Sequence, residues 1–259
     1  MPLSSDHEPR FLEPFLGIVF DLDGTLVLSH HDFGRMRGEV VRLAERYGVP
    51  PGRLSPGEPI HRIVETARDE LGRLAGGEGL VYRFEAEFRR RLDSLELEAL
   101  PRTRVRPGAP ELLHGLAERG FRLGVLTRSS EAFCRAALAA THLAAYFPYL
   151  RARSMPGPEK PSPEALHLLL REMGVPLDRA LYVGDHLIDA ECATRARARF
   201  YAVLPDPSEP TSMSAERFRA AGASAVASDL YALARLLDVK GAATGPAGGI
   251  SAAAAPLGR

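Results

Sequence analysis

From about residue 104 the chain alternates short apolar runs with helical patterns, and nothing else in it constrains the fold as strongly. "PGAPELLHGLAERG" (107–120) reads as a helix closed by Gly120, and "FRLGVLT" (121–127) as the strand after it. "SSEAFCRAALAA" (129–140) is a helix with Ser129 or Ser130 as its cap. "PYLRAR" (148–153) reads as a short strand, and "SPEALHLLLREMG" (162–174) as a helix with Pro near its start and Gly at its end. "ALYVGD" (180–185) is a buried strand, "LIDAECATRAR" (187–197) a helix, and "RFYAVLP" (199–205) and "ASAVAS" (223–228) complete the strands. Such alternation implies βαβ units with right-handed crossovers, hence an α/β class built on a parallel sheet.

One further strand, residues 16–21, stands some 80 residues before this series. The interval, roughly 33–98, is helical in pattern throughout: "FGRMRGEVVRLAERYG", "PIHRIVETARDELGRL" and "LVYRFEAEFRRRLDSLELEAL". An insert between the first two strands of an open sheet is expected over the carboxyl ends of the strands, where such sheets bind ligands. The expected division is therefore a core of 14–32 and 99–238, a helical cap of 33–98, and a tail of 239–259. The tail is small-residue, Gly/Pro-interrupted and aromatic-free, so disorder is expected there, and "PDPSEPTSMS" (205–214) reads as a loop.

The first strand ends in "GIVFDLDGT", which places Asp21 and Asp23 at the end of an apolar run. Burying two carboxylates that repel each other requires positive charge nearby. Other polar residues stand at equivalent places: Thr127 ends "GVLT", Asp185 ends "LYVGD", Asp189 lies one turn into the next helix, and Lys160 precedes a helix. In a parallel sheet these strand ends share one edge, so Asp21, Asp23, Thr127, Lys160, Asp185 and Asp189 are expected to form one site. Carboxylates without His or Cys partners make a hard oxygen site that suits Mg²⁺ and not zinc. Lys160, the Thr127 hydroxyl and the turn beginning at Arg128 are suited to hold phosphate oxygens. A carboxylate is also a competent nucleophile toward phosphorus.

Composition excludes several classes of partner. Basic and acidic residues balance at 33 each, so neither nucleic acid nor an anionic membrane is expected as the dominant partner. No stretch approaches the roughly 20 apolar residues of a membrane span, and the N-terminus lacks the pattern of a secretion signal. Cys134 and Cys192 are too few for a disulfide framework or zinc site. A cytoplasmic protein, monomer or homodimer, is expected.

"DLDGT" (21–25), "LTRSS" (126–130), "KPSPEAL" (160–166) and "VGDHLIDAECA" (183–193) resemble, in order, the four motifs of the haloacid dehalogenase-like superfamily. The resemblance covers about residues 16–238, and the helical insert is similar to the α-helical cap of phosphoglycolate-phosphatase-like members. It implies a Rossmann-like core and a Mg²⁺-dependent phosphatase acting on a small phosphorylated substrate. It further implies that Asp21 is nucleophile and metal ligand. Asp23 would be the general acid/base, with its backbone carbonyl on the metal. Thr127 and Lys160 would hold the phosphoryl group, Asp185 would ligate Mg²⁺ directly, and Asp189 would do so directly or through water. A phosphomutase would share all these residues, and a non-catalytic binding module is the reading from another class. A dehalogenase is disfavoured because those relatives lack the second aspartate, which is Asp23 here.

For Asp189 the competing reading is a helix cap or salt bridge. His186 reads either as a substrate contact or as a side chain facing water. His30 and His31 read as an exposed hinge pair rather than as substrate groups. Arg83, Arg89, Arg90 and Arg91 read as a solvated helix face rather than a phosphate-recognising patch.

Overall fold

A computed structural model describes residues 15–207 and 213–239. The tail expected from 239 onward therefore lies outside the described residues but for Val239, as does the middle of the 205–214 loop. In chain order, β1 (Gly17–Phe20) and β2 (Val27–Leu28) precede the helices α1 (Phe33–Arg46), α2 (Ile60–Gly72) and α3 (Gly77–Ala99). The series continues through β3 (Arg104–Val105), α4 (Ala109–Glu118), β4 (Arg122–Leu126), α5 (Glu131–Ala140) and β5 (Tyr149–Arg151). After these come α6 (Pro163–Met173), β6 (Ala180–Gly184), α7 (Leu187–Ala196), β7 (Arg199–Val203), α8 (Ala215–Ala220), β8 (Ala225–Ala227) and α9 (Leu230–Leu236).

Six strands form one parallel sheet in the order β5-β4-β1-β6-β7-β8, the α/β architecture expected from the alternation. β1 is central, and all four of its residues are buried, as befits a parallel strand covered on both faces. Its register pairs Phe20 with Val125 on one side and Val183 on the other, and the Asp21 N–H donates to the Val183 carbonyl at 2.9 Å. Chain order thus delivers Asp21, Thr127 and Asp185 at the same end of three adjacent strands.

Local chemistry sets the helix ends. The Ser130 hydroxyl, not that of Ser129, accepts the Phe133 N–H at 3.3 Å and starts α5. α6 begins with Pro163 after Ser162 and closes at Gly174, whose φ of 63° is the left-handed conformation. Its Ala165, Leu166, Leu169, Leu170 and Met173 line the buried face against Val19, Tyr182 and Phe200. Burial of each large side chain there contributes about 1.5–3 kcal/mol.

The antiparallel pair of β2 with β3, Val27 opposite Val105, and the helices α8 and α9 leave no pattern in the sequence. Strands of two residues and helices of six and seven carry too few positions to show a period.

The chain divides into two compact units, Ser29–Arg102 and the remainder. The Ser29–Arg102 unit has its own core, in which Met36, Val40, Ile63, Leu71, Phe84, Phe88 and Leu92 are buried. Its arginines are largely matched by acids: Arg91 meets Glu39 at 3.2 Å, Arg46 meets Glu87 at 3.0 Å and Arg35 meets Glu98 at 2.5 Å. Arg83 donates to the Gly79 carbonyl at 3.3 Å. Such exposed pairs contribute about 0–1 kcal/mol each, and they match a solvated helix face. His30 is exposed with φ of 52°, and His31 packs edge-on against Phe33 at 5.7 Å.

Candidate active site

The segment after β1 is a tight loop. Leu26 and Val27 both donate to the Leu22 carbonyl, at 2.8 and 3.0 Å, and Gly24 donates to the Val27 carbonyl at 2.8 Å. Leu22 is fully buried, so the residue between the two aspartates pins the loop into the core. Gly24 turns the chain with φ of 84°, a conformation that glycine adopts without strain. Thr25, the next residue, donates its hydroxyl to Asp185 Oδ1 at 2.6 Å. The loop after β1 is thereby tied to the end of β6.

Lys160 enters from the segment before α6 and joins the two carboxylates on either side of it. Its Nζ donates to Asp21 Oδ1 at 2.5 Å and to Asp189 Oδ1 at 2.6 Å. Both ion pairs are buried, and Lys160 lies 5.9 Å from the centre of the Tyr182 ring. The Tyr182 hydroxyl donates to Asp189 Oδ1 at 2.8 Å, while Asp189 Oδ2 accepts the His186 N–H at 3.1 Å. Asp189 is thus a capping residue of α7 and a salt-bridge partner at the same time as it sits in the cluster. His186 is exposed and caps the same helix, its Nδ1 accepting the Ile188 N–H at 3.1 Å.

Asp21, Asp185 and Asp189 each bring a carboxylate oxygen within 4.8 Å of the others. Burial pushes the Asp21 carboxyl from its usual 3.8 up to about 7; Lys160 opposes this and Asp189 adds to it. Burial also raises Asp185, and repulsion from Asp21 and Asp189 adds to the effect. Burial works to lower the Lys160 ammonium, but the carboxylates of Asp189 and Asp21 outweigh it and hold the group above its ordinary range. Lys160 faces two of the three carboxylates and the Arg106 charge reaches the third, Asp185; the negative charge left over on hard oxygen donors suits a divalent cation of the Mg²⁺ type.

The contacts of the other predicted residues are with their own loops and strand ends. Thr127 is buried at the end of β4; its N–H donates to the Arg151 carbonyl at 3.0 Å and its hydroxyl accepts the Ser129 N–H at 3.0 Å. Arg128 is half-buried, and its carbonyl accepts from Arg153 Nε at 2.8 Å. Asp23 is half-buried on the loop, bridged to Val27, and its carboxylate is not one of the three that converge. Sequence reasoning missed Thr25 and Tyr182. Tyr182 sits in an apolar strand where its ring accounts for its presence, and Thr25 is visible only as a turn residue.

Gly24 and Gly184 both leave room for the carboxylates. A Cβ at Gly24 would collide with the Asp185 carboxylate, and one at Gly184 would lie 2.5 Å from Asp189 Oδ2. Gly24→Ala is expected to destabilise the protein by about 2–3 kcal/mol, combining overpacking with a positive φ. Urea unfolding would measure this, and a loss below about 0.5 kcal/mol would show that the loop yields freely.

Among the described residues no helix is long and apolar enough to cross a membrane. The sequence profile of the haloacid dehalogenase-like hydrolases matches residues 15–197. A phosphoglycolate phosphatase of Rhodospirillum rubrum is 33% identical over 183 residues, covering 69% of this chain and 75% of its own. A phosphoglycolate phosphatase of Nitrosospira multiformis is 28% identical over 198 residues, covering 75% of this chain and 85% of its own. In fold, the chain is similar to a hydrolase from Pseudomonas syringae at a TM-score of 0.62 and 21% identity, covering 86% of this chain and 98% of the other. Profile, relatives and sheet agree, and the chain belongs to the haloacid dehalogenase-like hydrolases.

Proposed function

We propose that this protein is a Mg²⁺-dependent phosphatase that hydrolyses a small phosphorylated metabolite through a phospho-aspartate on Asp21. The observation that carries the reading is the buried junction of Lys160 with Asp21 and Asp189, beside Asp185. Four residues from three of the four motifs meet there, in the chemistry that phosphoryl transfer requires.

In this reading a carboxylate oxygen of Asp21 attacks phosphorus, and the bond to the ester oxygen breaks. The Asp23 carboxyl gives its proton to that departing oxygen, so the alcohol leaves neutral. Asp23, now a carboxylate, takes a proton from water, whose oxygen attacks phosphorus and releases inorganic phosphate. Asp21 is regenerated, and the Asp23 proton is restored in the same step. Lys160 opposes the effect of burial on Asp21 and, with the Thr127 hydroxyl and the turn after it, receives the phosphoryl oxygens. Asp21, Asp185 and Asp189, with the Asp23 carbonyl, are the groups to hold Mg²⁺, which when bound neutralises charge on the phosphoryl oxygens.

The curated relatives make 2-phosphoglycolate the first ester to try. A panel of phosphorylated metabolites, read by released phosphate, tests the proposal. Turnover is expected with Mg²⁺, to be lost in EDTA and to return when Mg²⁺ is added back. Full activity in EDTA, or no phosphate from any ester, would sink it.

A further inference from the structure

Arg106 stands outside all four motifs, yet it is 3% exposed and touches the loop that carries the first of them. It follows β3, in the segment by which the chain returns after Arg102. Its backbone N–H donates to the Leu26 carbonyl at 2.9 Å. Its guanidinium forks: Nη1 donates to the Gly24 carbonyl and Nη2 to the Leu204 carbonyl. One buried side chain thus joins the loop after β1 to the loop after β7. The carboxylates whose charge reaches it are Asp185, Asp206 and Asp229.

We infer that Arg106 is a positioning residue that sets the spacing between the Asp21 loop and Asp185. The Gly24 carbonyl that it holds is one residue before Thr25, whose hydroxyl reaches Asp185 Oδ1 at 2.6 Å. Gly24 itself packs against the Asp185 carboxylate too closely to admit a Cβ. A shift of the Gly24 peptide therefore moves the Thr25 hydroxyl and the Asp185 oxygens together. Arg106 fixes that peptide through its carbonyl, using the Leu204 carbonyl as a second purchase. A guanidinium suits the task because its planar fork reaches two carbonyls at once and stays charged when buried. Lysine keeps the charge but is a point donor with no fixed fork, so it supports one carbonyl or the other.

The inference rests on the proposed cation site, and its test does not depend on turnover. Arg106→Lys is titrated with Mg²⁺ without substrate, following the melting temperature, and compared with the unaltered protein. The Mg²⁺ concentration for half-maximal stabilisation is expected to rise 10- to 100-fold, the usual consequence of losing an outer support of metal ligands. In parallel, kcat for an aryl phosphate falls, while KM at saturating Mg²⁺ stays within about twofold, since Arg106 is assigned no contact with the ester. A purely structural role would lower the melting temperature and leave the Mg²⁺ midpoint in place, and that result overturns the inference. So does an Arg106→Lys protein that is unfolded by circular dichroism. If the unaltered protein binds Mg²⁺ and shows the shifted midpoint in Arg106→Lys but no ester is hydrolysed, the phosphatase reading fails and this one stands. If the unaltered protein shows no Mg²⁺ stabilisation, both fail.

Discussion

Asp21→Asn is expected to lower phosphate release from an aryl phosphate by on the order of 10⁴-fold or more, without lowering the stability of the metal-free protein at pH 8. The first half follows from chemistry: an amide offers no anionic oxygen to attack phosphorus, and no other described group is placed to replace it. The second half follows from electrostatics. Burial raises Asp21 from 3.8 to about 7, against the pull of Lys160, so the folded state disfavours its charge. A carboxyl whose folded pKa lies above its unfolded value binds more protons when folded. Its contribution to stability therefore falls as pH rises from about 4 to about 7. Asparagine is neutral throughout that window and carries no such loss, and Lys160 keeps Asp189 at 2.6 Å. Thermal melts in EDTA at pH 5 and pH 8 test this. The gap between variant and parent is expected to move in the variant's favour at the higher pH. Turnover within tenfold of the parent would remove Asp21 from the mechanism.

Lys160→Met is expected to do the reverse, destabilising the protein by about 3–5 kcal/mol at pH 8 in EDTA. Met spans a similar length and refills the space of the lysine stem, so the loss is chiefly the cation. Without it, Asp21 and Asp189 are buried carboxylates with no ammonium between them. Asp189 keeps the Tyr182 hydroxyl and the His186 N–H, whereas Asp21 loses its side-chain donor. The lysine's folded pKa is raised, so its stabilisation is fully present below about 10.5 and does not itself change between pH 5 and pH 8. The pH dependence of the variant comes from Asp21, which takes up a proton as pH falls and then needs no partner. The loss is therefore expected to shrink at pH 5. Urea unfolding at both pH values checks it, and an equal loss at the two would show that the effect is packing alone. Turnover is expected to fall by 10²–10³-fold even where Mg²⁺ recovers stability, because a donor aimed at developing charge is gone.

The two variants together separate function from stability at one locus. Asp21 is a group the fold bears against its own preference for neutrality. Lys160 makes that tolerable, and Asp189, held by Tyr182 and His186, places Lys160. Strain of this kind is expected where a chain keeps charged groups for chemistry rather than for folding.

How much of this was legible beforehand depends on the range of the interactions involved. "GIVF" before Asp21 and "ALYVG" before Asp185 are continuous apolar runs, and only a strand buried on both faces suits them. Parallel pairing then follows from the intervening helices, and the common edge follows from parallel pairing. The helix ends were similarly local: Pro163 and Gly174 bracket α6 as their dihedral preferences require. What local pattern left open was decided by distant partners. Whether Ser129 or Ser130 caps α5 depends on which hydroxyl reaches the Phe133 N–H. The sequence reads Asp189 as either a helix cap or a member of the cluster, yet its two oxygens face different partners and it serves both. Tyr182 and Arg106 carried no sequence signal, because a hydroxyl or guanidinium finds its acceptor through chain reversal and not through spacing.

The sequence by itself therefore determined the sheet, its chemically loaded edge and the acids and lysine that populate it, because periodicity and strand-end position are local properties. Tertiary structure alone decided which oxygen Lys160 takes, that Thr25 reaches 160 residues along the chain to Asp185, and that Arg106 joins two loops. Those contacts join segments far apart in sequence, and their geometry exists only once the chain has closed around them.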